Sequence, residues 1–178
     1  ALIFIALIYI SVVKNWFKKI PFRMTIMGLF TTLIISGVTL NVVRPKFYEL
    51  ASASGLCFTA IGMFFIINSG IFQKKKIKKS FLFLSALFMG LAVLARVTAV
   101  FWCFACVIWI LYGLIQNNKQ NGKNAIEIIK YVLAAGVPYV VFGLIQMWYN
   151  YARFGSVFDF GIQYSLTIND FTQAKSTI

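Results

Sequence analysis

Three arginines, Arg44, Arg96 and Arg153, stand apart from the other basic residues of the chain. Most of the others are lysines gathered in clusters, whereas each of these arginines falls at the end of an apolar run. A guanidinium presents a planar fork of donors that matches phosphate. Three such forks at one membrane face could hold a phosphorylated lipid at its headgroup, although any one alone also fits an anchor that snorkels to the interface. Arg96 departs furthest from that plainer role, because its neighbours Ala95 and Val97 are apolar. Tyr48 and Glu49 stand close to Arg44, where they fit equally an interfacial tyrosine and a helix-start glutamate favoured by the helix dipole. Asp159 lies in residues 151–164, YARFGSVFDFGIQY. Aromatic faces pack against sugars and carboxylates bind hydroxyls or act as bases, and the same stretch also reads as a surface loop anchored by aromatics. Arg44, Tyr48, Glu49, Arg96, Arg153 and Asp159 are therefore the candidate substrate-binding residues. None of them is assigned as catalytic.

Other chemistries find no support. The chain has no histidine, so histidine acid–base catalysis and histidine metal ligation are absent from it. Cys57, Cys103 and Cys106 lie inside apolar runs. Cys103 and Cys106 form a CxxC behind Trp102, but redox chemistry needs an accessible, low-pKa thiolate, and the three are read as buried, inert thiols. No metal-ligand set and no cofactor are identified. Gly155 and Gly161 permit turns and carry little else.

The elements that must position these residues follow from composition. Of 178 residues, 61% are hydrophobic and 12% charged, against about 45–50% and about a quarter in globular domains. Runs approaching 20 apolar residues predict an all-α, polytopic transmembrane helix bundle. Complete spans are expected at residues 24–43, 51–72, 81–95, 99–115 and 131–149, and residues 1–13 read as the end of a sixth. The run 81–115 is too long for one crossing and is expected to fold as a hairpin about Arg96. Residues 73–80, QKKKIKKS, cannot lie in a bilayer. Short loops rich in Lys and Arg face the cytoplasm, and alternation from this loop places twelve of the 17 basic residues inside. Residues 116–130 are expected as a polar cytoplasmic loop with an amphipathic entry at 124–130. Pro138 is expected to kink the last span, and residues 150–178 form an outer segment. No soluble domain is read. The net charge of +13 does not point to nucleic acid, since the basic residues cluster between apolar runs.

The stretch YNYARFGSVFDFGIQY resembles a segment of bacterial polytopic glycosyltransferases of the C superfamily, the broad group with protein mannosyltransferases and aminoarabinose transferases. RPKFYELA at 44–51 resembles an outer loop of that group. GLAVLARVTAV at 90–100 resembles a span end usually written Arg-Pro-Thr, with Val97 in place of the proline. The resemblance runs from about residue 44 to 164. It implies transfer of a sugar from a polyprenyl-phosphate carrier to an acceptor on the outer face of a bacterial plasma membrane. It further implies that Arg44, Arg96 and Arg153 contact the donor phosphate, and that Tyr48, Glu49 and Asp159 shape the sugar or acceptor site. Membrane lipid and the lipid-linked sugar are the implied partners. The group's catalytic aspartate usually lies in a first outer loop near the N-terminus. No counterpart is seen here, so the chain is expected to be an internal part of a longer protein. The rival readings are a transporter or flippase for a lipid-linked or anionic substrate, and a membrane-embedded structural subunit.

Overall fold

A computed structural model describes residues 1–17, 19–38, 47–73, 77–121 and 125–160, with the backbone alone at 47–49, 119–121 and 125. Arg44, residues 74–76 of the lysine stretch and residues 161–178 of the expected outer segment lie outside the described residues. The described residues are all-α, with no strand. They form α1 (Leu2–Trp16), α2 (Phe22–Ile35), α3 (Phe47–Asn68), α4 (Lys79–Ala95), α5 (Val100–Asn121) and α6 (Ala125–Phe154), and a 3-10 turn at Val97–Ala99 joins α4 to α5. Three helical segments, Leu50–Asn68, Val97–Asn118 and Ile126–Phe154, are long and apolar enough to cross a membrane, while α1, α2 and α4 are apolar but shorter. This points to a membrane-associated chain.

Several helices end where the apolar pattern does not. One helix is expected over 24–43, but α2 stops at Ile35. Ser36 Oγ donates to the Leu33 carbonyl at 2.7 Å, and Gly37 takes φ +67°, the left-handed conformation at which helices commonly terminate. Its 14 residues rise about 21 Å, short of a hydrocarbon core of roughly 30 Å. Residues 39–43 lie outside the described residues. Conversely, α5 continues through Gln116–Asn121, in the expected polar loop, because leaving the apolar run does not by itself break the i to i+4 ladder. Likewise α6 begins before the expected span and runs on to Phe154. Pro138 sits inside it without ending it.

The chain forms two compact units, Ala1–Phe142 and Gly143–Ile178. In the first, α3 and α4 are the most extensively packed pair. They run antiparallel, because Gly62 faces Ser85 and Met89 whereas Gly55 faces Ala92 and Arg96. A Cβ at Gly62 would stand 2.9 Å from Met89 Cγ and 3.2 Å from the Ser85 carbonyl, so glycine sets the helix separation here. Phe58 and Phe65 both stack with Phe88, with ring centroids 6.4 and 6.0 Å apart. α1 lies parallel to α3: Phe4 meets Phe64 edge-on, and Asn68 Nδ2 donates to Ser11 Oγ at 3.2 Å. α2 returns along α1, with Gly28 against Tyr9. Beyond Arg96, α5 folds back on α4, since Cys103 Sγ donates to the Met89 carbonyl at 3.4 Å. These two residues are equally spaced about Arg96, as in a hairpin. Ile66, Leu82, Met89, Cys106 and Ile110 are among the residues that fill the core.

At the opposite end of α4 from Arg96, the lysine stretch is closed by a hydrogen bond from the Lys78 N–H to the Ser69 carbonyl, at 2.9 Å. Ile71 and Ile77 are buried on either side of it. Lys78 Nζ lies 4.8 Å from the Phe81 ring centroid and Lys79 Nζ 5.4 Å from that of Tyr131. The Ser11–Asn68 contact brings the basic stretch after α1 to this same end.

Candidate functional site

Arg96 is the elbow between α4 and α5. Its N–H still bonds the Ala92 carbonyl at 2.9 Å, and its own carbonyl accepts the Ala99 N–H at 2.9 Å. Between these bonds its backbone is extended, with φ −154° and ψ 117°. The reversal is thus made without glycine or proline. The Arg96 guanidinium reaches across to α3, where Nη1 donates to Ser52 Oγ. Gly55, one turn further on, lets the helices approach there: a Cβ built on it would lie 3.6 Å from Arg96 Cβ.

Arg96 and Ser52 stand at the polar end of a groove of about 540 Å3. Its walls are Ile5 and Ile8 of α1, Leu56, Ala60 and Met63 of α3, and Phe101 and Trp102 of α5. That volume lies within the usual range for small-molecule sites. One exposed cation over apolar walls suits an amphiphile with an anionic head and a hydrocarbon tail. Ser52 is absent from the sequence candidates. The ASASG stretch that contains it is legible as a place of close helix approach, but not as the partner of a residue 44 positions away.

Tyr48 and Glu49 belong to the first turn of α3, four and three residues before Ser52. Arg44 lies outside the described residues. Arg153 and Asp159 belong to the second unit. There Arg153 Nη1 donates to Tyr149 Oη at 2.7 Å, and the guanidinium carbon lies 5.8 Å from the Tyr149 ring centroid and 5.2 Å from that of Phe154. α6 ends at Gly155, whose φ is +71° and whose N–H bonds the Tyr151 carbonyl at 2.9 Å. The chain beyond folds back onto Asn150, a polar residue only 2% exposed. Its Oδ1 accepts from Gln146 Nε2 at 3.0 Å, and its Nδ2 donates to the Val157 carbonyl at 3.1 Å. Asn150 therefore holds the segment that carries Asp159, which is partly buried.

The thiols of Cys103 and Cys106 are buried and that of Cys57 is half-buried; all three are free. Among the described residues, no group of three His, Cys, Asp or Glu side chains comes together. No protein-family model matches this chain, and no curated protein or solved structure matches it either.

Proposed function

We propose that this chain is part of an integral-membrane glycosyltransferase that takes a sugar from a polyprenyl-phosphate donor. The donor phosphate sits at Arg96, and the first part of its prenyl chain lies in the apolar groove below. The observation that carries this reading is the groove itself, lined among the described residues by one guanidinium, that of Arg96, and by mostly apolar side chains, with Thr59 and Thr98 among them. A phosphate there replaces hydration with charge-assisted hydrogen bonds, and the prenyl units, already in hydrocarbon, gain packing contacts with the groove walls rather than a transfer from water.

The helix directions support a matching topology of five spans plus the end of a sixth. α1 and α3 run in parallel toward the two basic stretches, and α2 and α4 run the other way. Both lysine-rich stretches then face the cytoplasm, and the Arg96 elbow faces outward. With 17 residues, α4 rises about 25 Å, less than the core thickness. Arg96 is thereby set at or just below headgroup depth, where a lipid phosphate is its natural partner. The site belongs to the outer face of a bacterial plasma membrane.

The test is a transfer assay with the complete protein in proteoliposomes, using a polyprenyl-phosphate sugar labelled in the sugar. Label leaving the lipid fraction at a rate that depends on Arg96 supports the reading. Movement of intact labelled lipid between leaflets, with the sugar–phosphate bond uncleaved, would favour a transporter instead. Sidedness has its own test. In a Cys-free background, an impermeant thiol reagent applied to intact cells should label Ser156→Cys and spare Ser80→Cys, and the reverse pattern inverts the topology.

A further inference from the structure

We propose that the lysine-rich end of the first unit docks on anionic phospholipid headgroups, with Lys14, Lys78 and Lys79 contacting the lipid phosphates. This inference rests on the membrane association of the chain, and not on the glycosyltransferase reading or on sidedness. Lys14 lies in the last turn of α1, three residues after Ser11, whose Oγ accepts from Asn68 of α3. Lys78 precedes α4, and its N–H bonds the carbonyl of Ser69, the residue after Asn68. Contacts on two adjacent residues of one helix end thus bring together cations that are distant in sequence. Lys79 opens α4. All three lysines are exposed.

The chain does not neutralise this gathering of like charge. Residues 1–121 contain one carboxylate, Glu49, and it stands at the other end of α3 from Asn68, about 28 Å away along the axis. Glu127 lies four residues before Tyr131 on α6, whose ring is 5.4 Å from Lys79 Nζ, but Lys130 adjoins Tyr131 and offsets it. Lys19 and Arg23, between α1 and the first turn of α2, add charge of the same sign. Lys78 Nζ rests 4.8 Å from the Phe81 ring centroid. A ring face steadies an ammonium without removing its charge, so cations set side by side here repel each other until an anion joins them.

The surroundings select a lipid as the source of that anion. Trp16 and Phe17, just beyond Lys14, are exposed at 44% and 53%, and Phe22 at the start of α2 at 77%. An exposed tryptophan beside lysines at the end of an apolar helix is the pattern of a membrane interface. It sets Lys14 at headgroup depth, where a long lysine stem can lie along apolar surface and carry its ammonium to a phosphate. A net negative headgroup is required, since a zwitterionic one brings its own cation to the same place. Clusters of lysine next to a membrane helix attract anionic lipid for this reason.

The experiment is lipid binding to the purified full chain in detergent, read by native mass spectrometry, with phosphatidylglycerol compared with phosphatidylcholine of the same acyl chains. At about fivefold for each engaged lysine, the wild type should prefer phosphatidylglycerol by roughly tenfold to a hundredfold, and less as salt is raised. Lys14→Gln, Lys78→Gln and Lys79→Gln should each lower the preference by up to about fivefold, and the triple variant should lose most of it. Lys78→Arg keeps the charge and should keep the preference. Arg153→Gln, in the second unit, should leave it unchanged. Equal binding of the two lipids by folded wild type would overturn the proposal. So would a triple variant that keeps the preference, which places it at Arg96 or another cation, or an Arg153→Gln protein that loses it. Should the triple variant fail to fold, the three single variants decide the matter: a lowered preference supports the site and an unchanged one in all three overturns it.

Discussion

Arg96 and Arg153 are the same residue type, both exposed and both at a helix end. Their surroundings differ. Arg96 reaches from one helix to another and stands at the head of an apolar groove. Arg153 bonds Tyr149 on its own helix and lies over two of that helix's rings. A guanidinium satisfied by its own helix does not by its position specify a ligand. One set between helices above a hydrocarbon-lined groove presents a head site and a tail site together. The sequence reading gives both arginines to a donor phosphate, whereas their local surroundings differ.

The largest effect is expected from Arg96→Ala in the complete protein. Loss of a charged hydrogen bond should raise the donor concentration needed for transfer by about 1.5–3 kcal/mol, read from transfer rate against donor concentration with expression checked in parallel. Arg96→Lys keeps the charge and loses the fork, so it should fall in between. Asn150→Ala comes next. It leaves buried partners unpaired, at about 1–3 kcal/mol, and should speed thiol labelling of a cysteine placed at Ser156. Unchanged labelling would show that the Arg153 end is held by something other than Asn150. Ser52→Ala should have a smaller effect, about 0.5–1.5 kcal/mol on donor use, because Arg96 loses its anchor but not its charge. Arg153→Ala should be smallest, at about 0.5–1 kcal/mol of stability from an exposed cation–π contact, with donor dependence unchanged. A donor defect in Arg153→Ala as large as that in Arg96→Ala would erase the distinction.

The all-α class was legible because apolar runs of span length have few other solutions in this composition. The break at Arg96 was legible too, since a largely apolar run of 35 residues that contains one cation does not make a single crossing. Helix ends were less so. Ser36-Gly37 carried a stop signal inside an apolar run, where hydropathy outweighed turn chemistry. Gln116–Asn121 and Asn150–Phe154 read as loop from their polarity, yet polarity marks only the end of an apolar surface, and both stretches are helical. The partners of the site residues were the least legible. The pairing of Arg96 with Ser52 depends on α3 and α4 running antiparallel at a separation set by Gly55 and Gly62. Asn150 acts through a tail folded back at Gly155. Both are products of tertiary packing, and no local pattern encodes them.

The central claim, that the Arg96 elbow is an anion site at the head of a lipid groove, is tested most directly by binding. Polyprenyl phosphate and the uncharged polyprenol should be compared at equilibrium on the purified wild type, Arg96→Ala and Arg153→Ala, each first shown to be folded. The account predicts that wild type and Arg153→Ala prefer the phosphate by about tenfold or more, the equivalent of one charge-assisted hydrogen bond, and that Arg96→Ala binds the two lipids alike. An Arg96→Ala protein that keeps the full preference for phosphate would contradict it.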